Sequence, residues 1–153
     1  MIVAVVHERD PAAVVAALRD LGARFAPGQV MAEVRLDALP APDPEIIAGS
    51  PVPVIATCRR PEDGGAFVGS EPERLDLLWR ALQAGARHID VEMDVLDRMR
   101  PARLFGVIAS RHDLRETPLD LESVADPAFR EAAVKAVKLA VFAHDFGDVM
   151  RIV

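Results

Sequence analysis

The sequence has a single cysteine, Cys58, and only four histidines. One thiol cannot form an internal disulfide framework or a metal site built from several cysteines. The histidines are scattered, and no two of them stand four residues apart. These absences exclude a disulfide-rich exported domain and a multi-cysteine metal site, so we expect a reducing, cytoplasmic location.

Long apolar runs and an excess of positive charge are also missing. No run approaches the ~18 apolar residues that span a bilayer, and the start, MIVAVVHERD, lacks the basic region of a signal peptide. The net charge of −6 disfavours sequence-independent binding to nucleic acid. The 153 residues are 51% hydrophobic and 27% charged, which predicts one globular domain over residues 1–153.

Strand and helix patterns alternate along the chain. The predicted strands are residues 2–6, 30–36, 52–57, 88–93, 104–110 and 137–143. The predicted helices are residues 11–22, 45–48, 71–84, 119–136 (with a break near Asp126-Pro127) and 146–153. Six βα units indicate a parallel α/β sheet. An open doubly wound sheet fits the length, whereas a (β/α)8 barrel normally takes ~250 residues and two further units.

Ionisable side chains stand at the carboxyl ends of five successive strands, the end at which both architectures bind ligands. They are Glu33, Arg35 and Asp37, then Arg59 and Arg60, then Asp90, Glu92 and Asp94, then Ser110 and His112, and finally Lys138. Because an unpaired buried charge costs several kcal/mol, a purely structural sheet would not carry them there. The pattern therefore predicts a functional site.

Lys138 lies inside the apolar segment VKLAVFA. Burial would disfavour its ammonium form, lower its pKa and favour an amine that attacks a ketone or aldehyde to form a Schiff base. The structural alternative, more frequent for a lysine in a strand, is a head group that reaches water. His112 could transfer protons at neutral pH, or it could form a hydrogen bond within a loop. Asp113 could be the partner of His112, or it could cap the following turn.

The arginines also have two interpretations. Arg35, Arg59 and Arg60 suit a clamp on a carboxylate or on hydroxyl groups. Alternatively, Arg35 forms an ion pair with Glu33 and Arg60 lies on a solvated surface. The acidic residues of the fourth strand either belong to the site or neutralise these arginines, and a magnesium site from Glu33, Asp90 and Glu92 has no motif to support it.

Five segments resemble, in the same order, the type I 3-dehydroquinate dehydratase family, the Schiff-base dehydratases of the shikimate pathway. They are EVRLDAL (33–39), PVIATCRRPEDGG (53–65), HIDVE (88–92), SRHDLRETP (110–118) and VKLAVFA (137–143). The resemblance implies an α/β fold of the TIM-barrel type, (β/α)8, with about six βα units in this chain. It implies that Lys138 forms an imine with 3-dehydroquinate and that His112 is the general acid and base. It further implies that Glu33, Arg35, Arg59 and Asp63 surround the substrate, and that no cofactor or metal is needed.

Two departures from the family pattern stand out. Asp63 replaces the usual glutamate before the double glycine, with Glu62 one place earlier. Family members continue through two more βα units, which bring an arginine for the substrate carboxylate. A second copy of the chain, a rearranged sheet or a separate polypeptide could cover the open edges, and we expect the second copy, as a homodimer. The alternatives are a shortened paralogue that binds a related ligand or a partner protein without turnover, and another imine enzyme such as an aldolase.

Overall fold

The computed structural model describes residues 1–98 and 106–152, which form two compact units, Met1–Asp90 and Val91–Val153. In the first unit the strands are parallel, and strands that follow each other in the chain lie side by side. The elements are β1 (Ile2–Val6), α1 (Pro11–Arg24), β2 (Val30–Arg35), β3 (Val54–Thr57), α2 (Glu71–Gln83) and β4 (His88–Glu92), which runs into the second unit. A doubly wound sheet reverses its strand order, so this unbroken order favours the barrel-type alternative.

Helix α1 begins where the sequence predicts and ends later. The Asp10 side chain accepts a hydrogen bond from the Ala12 N–H (3.2 Å), and Pro11 opens the first turn. Val14 and Leu18, four residues apart, form its buried face. The prediction that Gly22 ends this helix is wrong. Gly22 lies inside α1, and its lack of a side chain lets the helix approach Pro51, since a Cβ there would come within 2.7 Å of that ring.

Helix α2 begins with a reciprocal cap between Ser70 and Glu73, whose carboxylate accepts the Ser70 N–H at 2.7 Å. The sequence predicts a core-facing stripe of Leu75, Leu78, Trp79 and Leu82. Of these four, only Leu78 is fully buried, and its buried neighbours on the helix are Arg74 and Ala81. An arginine therefore occupies a core position of this helix.

The second unit contains β5 (Val107–Asp113), α3 (Leu121–Phe129), β6 (Val134–Val141) and α4 (Phe146–Ile152). Strands β5 and β6 are parallel. The prediction that His112 follows the fifth strand is wrong, because pairing with β6 extends that strand to Asp113. Positions 104 and 105 of the predicted strand, and position 153 of the last helix, lie outside the described residues.

The boundary between α3 and β6 also differs from the prediction. Helix α3 ends two residues after Pro127 instead of continuing to residue 136. Val134 then pairs with Val107, and the register shifts between Val107 and Ile108. Pairing with β5 therefore overrides the helical pattern of residues 134–136. The single domain over residues 1–153 stays a prediction.

Candidate active site

The carboxyl ends of β2, β3 and β4 bring four polar residues of the first unit onto one face. The strand register places Arg35 opposite Thr57, and Thr57 opposite Asp90. Glu33 lies two residues before Arg35 and therefore projects to the same side. The Thr57 hydroxyl donates to Glu33 Oε1 at 3.0 Å, and Glu33 and Asp90 are both buried. The expected grouping of charges at this strand end is present within the first unit.

Arg59 projects between the two buried carboxylates. Its Nη2 atom lies 3.9 Å from Glu33 Oε1 and 3.8 Å from Asp90 Oδ2, which is close enough for charge neutralisation but too long for hydrogen bonds. Within residues 1–98 and 106–152, the buried Nε and Nη2 atoms of Arg59 meet no hydrogen-bond acceptor. Because buried donors normally have partners, this guanidinium is suited to a ligand that carries oxygen acceptors.

Arg35 forms its ion pair with Asp37 and not with Glu33. The two hydrogen bonds measure 2.8 and 2.6 Å, and Asp37 also accepts the Ala66 N–H at 3.1 Å. The hydrogen bond to Asp37 raises the pKa of Arg35. Burial acts to raise the pKa of Asp37, but its bonds to Arg35 and to backbone N–H groups outweigh burial and lower that pKa. The pair is a fixed ionic support next to Glu33.

Asp63 lies in the 3₁₀ turn Pro61–Asp63 and binds Arg60, with N–O distances of 2.7 and 2.8 Å. The solvated surface considered for Arg60 is therefore wrong, since its side chain is only 17% exposed. Gly64 follows with a φ of 79°, a conformation that favours glycine. The double glycine thus forms part of a tight turn.

A cleft of about 470 Å³ opens at this end of the first unit. Its walls include His7, Arg9, Arg35 and Asp37, together with the loop residue Phe67. The cleft therefore combines cationic side chains with an apolar surface, the composition of a small-molecule binding site.

In the second unit, the register of β5 and β6 sets Lys138 opposite Ser110. His112 lies two residues beyond Ser110 and shares its face, so Lys138 and His112 project from the same side of neighbouring strands. A strand spacing near 4.8 Å and a rise near 3.3 Å per residue put their Cα atoms about 8 Å apart. Lys138 is half-buried, and both ring nitrogens of His112 are shielded from solvent. A long lysine side chain can therefore act on the same small molecule as this imidazole.

Asp113 caps the turn after β5 instead of supporting His112. Its Oδ1 atom accepts the N–H groups of Arg115 (3.0 Å) and Glu116 (3.1 Å). These backbone bonds, the Arg115 bond foremost, lower the pKa of Asp113. The turn continues to Thr117, whose hydroxyl donates to the Phe142 carbonyl at 3.0 Å. The loop that follows His112 is thereby tied to the loop that follows β6.

The six predicted site residues fall into two sets. Glu33, Arg35, Arg59 and Asp63 belong to the first unit, and His112 and Lys138 belong to the second. Their roles stay predictions. Sequence reasoning missed Thr57, which holds Glu33, and the buried Arg74. Over residues 1–98 and 106–152 there is no group of three metal-binding side chains and no helix long and apolar enough to cross a membrane.

Parallel strands in chain order, with ionisable residues at their carboxyl ends, define an α/β protein of the TIM-barrel type, as the family resemblance implies. The family profile described as "Type I 3-dehydroquinase" matches residues 9–153. The chain belongs to this family.

Individual relatives agree with the family profile. The chain is 36% identical over 138 residues to the bifunctional 3-dehydroquinate dehydratase/shikimate dehydrogenase of Arabidopsis thaliana. The aligned region covers 81% of this chain and 23% of that protein. It is 32% identical over 152 residues to the 3-dehydroquinate dehydratase of Desulfotalea psychrophila, covering 93% and 64%. The crystal structure of the Geobacillus kaustophilus enzyme superposes with a TM-score of 0.79 at 22% identity, over 97% of this chain and 64% of that chain. This chain therefore spans less than two thirds of the length of each of these proteins.

Proposed function

We propose that the protein dehydrates 3-dehydroquinate to 3-dehydroshikimate through an imine on Lys138. The observation that carries the proposal is the β5–β6 register, which sets Lys138 and His112 on one face of adjacent strands in a member of this family. A lysine beside a histidine is the pair that imine formation followed by proton abstraction requires.

The reaction would begin when the neutral Lys138 amine attacks the substrate ketone, takes up one proton from the solvent and releases water. The resulting cationic imine withdraws electrons from the neighbouring carbon, and His112 removes a proton from that carbon. The electron pair of the enamine then expels the hydroxyl group one carbon further on. Protonated His112 returns its proton to that hydroxyl, which leaves as a second water molecule. Hydrolysis of the imine frees the product and restores Lys138.

Residues of the first unit would bind the substrate. Arg59 has donors at Nε and Nη2 that lack acceptors among the described residues, so substrate hydroxyl oxygens are its natural partners. Glu33 and Arg35 border the same strand ends, and the Arg35–Asp37 pair keeps that arginine in place. Asp63 would bind the substrate from the turn Pro61–Asp63, where its carboxylate pairs with Arg60.

Borohydride trapping tests the imine directly. The sequence contains only two lysines, Lys135 and Lys138, so peptide mass spectrometry can locate an adduct without ambiguity between many sites. We expect a substrate adduct on Lys138 that is lost in Lys138→Ala and kept in Lys135→Ala, the matched control on the same strand. Absence of any adduct would contradict the proposal.

The competing functions give different results in the same preparation. Calorimetric binding of 3-dehydroquinate without enone absorbance indicates a non-catalytic paralogue. Cleavage of a carbon–carbon bond indicates an aldolase. Enone absorbance therefore identifies the dehydratase, and calorimetry together with analysis of cleavage products separates the other two functions.

We also propose that the protein acts in the cytoplasm as a homodimer on a small-molecule substrate, without nucleic acid or a membrane. Strand β1 supports self-association because Ile2, Val3 and Val5 are 58%, 45% and 61% exposed. Exposed apolar residues on an edge strand are normally covered in the assembled protein. Light scattering of the purified protein would contradict the dimer if it gave only the mass of one chain.

A further inference from the structure

Arg74 is a fully buried arginine near the N-terminal end of helix α2. It stands four residues before Leu78, on the face that packs into the core. Burying a guanidinium without compensation is costly, so a buried arginine has to be paired and hydrogen-bonded. Its contacts therefore show what the residue does.

Arg74 forms hydrogen bonds both within its own helix and to the end of strand β3. Its Nη2 and Nε atoms bind both oxygens of Glu71 at 2.6 and 3.0 Å, which neutralises the charge. Its Nη1 atom donates to the carbonyl oxygen of Cys58 at 2.7 Å. A guanidinium makes these bonds in fixed directions, because its donors form a planar fork. Arg74 thus connects helix α2 rigidly to the residue that follows β3.

The residue after Cys58 is Arg59, the guanidinium of the proposed binding site. The Arg59 carbonyl accepts the Phe67 N–H at 3.2 Å, and the Arg60 carbonyl accepts the Gly65 N–H at 2.8 Å. The carbonyl groups of residues 58, 59 and 60 are therefore all held by other segments. The bond to the Cys58 carbonyl comes from a helix side chain, that of Arg74.

We propose that Arg74 is a positioning residue that fixes the backbone before Arg59 and thereby aims the Arg59 guanidinium between Glu33 and Asp90. The proposal rests on the proposed function in one respect, that Arg59 binds the substrate. Arg74 itself lies in the core and has no direct part in the chemistry. Its loss should weaken substrate binding, because a displacement of about 1 Å in a positioning group is enough to lose much of its effect.

The experiment compares Arg74→Met with two controls on the same helix. Arg80→Ala removes an arginine whose side chain is 44% exposed, and Leu78→Ala destabilises the core at a side chain that has no hydrogen-bonding group. All variants are assayed well below their melting temperatures. We expect Arg74→Met to raise KM for 3-dehydroquinate about tenfold with kcat changed less than about twofold, the signature of lost ground-state binding. Both controls should leave KM near the wild-type value.

A second readout does not depend on activity. The Nε–H resonance of Arg59, assigned with Arg59→Lys, reports the surroundings of that guanidinium in a ¹⁵N NMR spectrum. We expect it to shift or broaden in Arg74→Met and to stay unchanged in Arg80→Ala and Leu78→Ala. If Arg74→Met does not fold, Arg74→Lys replaces it, because lysine keeps a hydrogen-bond donor but lacks the planar set of donors of a guanidinium. We then expect a smaller shift or broadening of the Arg59 resonance.

Two results would overturn the proposal: an unchanged Arg59 resonance in both Arg74 variants, or equal effects of Arg74→Met and Leu78→Ala on KM and on that resonance. If the wild-type protein shows no dehydratase activity, the proposed function fails. The NMR comparison then still decides whether Arg74 positions Arg59.

Discussion

A Cβ atom at Gly65 would lie 2.1 Å from the carbonyl oxygen of Arg59. This distance is far below van der Waals contact, so the loop after β3 can pack against the Arg59 backbone only through a residue without a side chain. The Gly65 N–H then reaches the Arg60 carbonyl at 2.8 Å. The second glycine of the pair is thus required by the backbone that carries the candidate substrate-binding arginine.

Gly65→Ala should therefore displace Arg59. We expect a loss of stability of about 1–3 kcal/mol from the steric clash, together with a several-fold rise in KM for 3-dehydroquinate. Gly49→Ala is the matched control, because Gly49 has a φ of 70° but nothing within 4 Å of its would-be Cβ. Urea denaturation and enone assays measure the two effects, and an equal rise in KM for both variants would contradict this explanation.

The Arg35–Asp37 pair predicts a specific pH dependence of stability. The pKa of Asp37 is lowered from its usual 3.8, so this carboxylate binds its proton less readily in the folded than in the unfolded chain. Its contribution is complete above pH about 4 and is lost as pH falls through the folded-state pKa. Asp37→Asn should cost about 3–5 kcal/mol at neutral pH, because it leaves Arg35 without its buried partner, and the acid dependence should become flatter.

Asp20→Asn is the control for this prediction. Asp20 pairs with Arg24 at 2.8 Å on the surface, where the side chains are 52% and 70% exposed. Removing such a pair changes the free energy of unfolding by less than about 1 kcal/mol. Denaturant titrations between pH 2 and pH 7 distinguish the two variants. Equal losses would show that the Arg35–Asp37 pair has no special role.

The two carboxylates before the double glycine differ in their surroundings. The Asp63 side chain is 14% exposed and held by Arg60, whereas the Glu62 side chain is 67% exposed. We expect Asp63→Asn to lower kcat/KM about tenfold, a modest share of what a positioned polar group can contribute, and Glu62→Gln to leave it within about twofold. Steady-state kinetics of both variants measure this difference. The reverse order would mean that Glu62 takes the place of the family glutamate.

Much of the fold can be predicted from local patterns. The β-branched segment at residues 2–6 is a strand with the predicted bounds, and Asp10-Pro11 begins a helix as expected. These features follow from side-chain shape and from capping, which act within a few residues. Likewise, the alternation of side chains along a strand is sufficient to place Glu33 and Arg35 on one face.

The errors arise where distant segments meet. Gly22 resembles a helix terminus in the sequence, but in the structure it allows the helix to pack closely against Pro51. Sequence reasoning misses Arg74, because nothing in the local pattern reveals its hydrogen bond to the Cys58 carbonyl. Similarly, the period of two in β5 and β6 is readable from the sequence, but the register that sets Lys138 opposite Ser110 is not.

That register makes a testable distinction between adjacent residues of β5. His112 shares the face of Lys138, whereas Arg111 projects to the opposite face and is exposed. If His112 is the general acid and base, His112→Gln should slow turnover at least about a hundredfold while Lys138 still forms an imine that borohydride traps. Arg111→Gln, the matched control, should leave both turnover and trapping near wild type. Enone absorbance and adduct mass measure the two steps separately, and comparable losses of turnover in both variants would refute the assignment of His112 by its strand face.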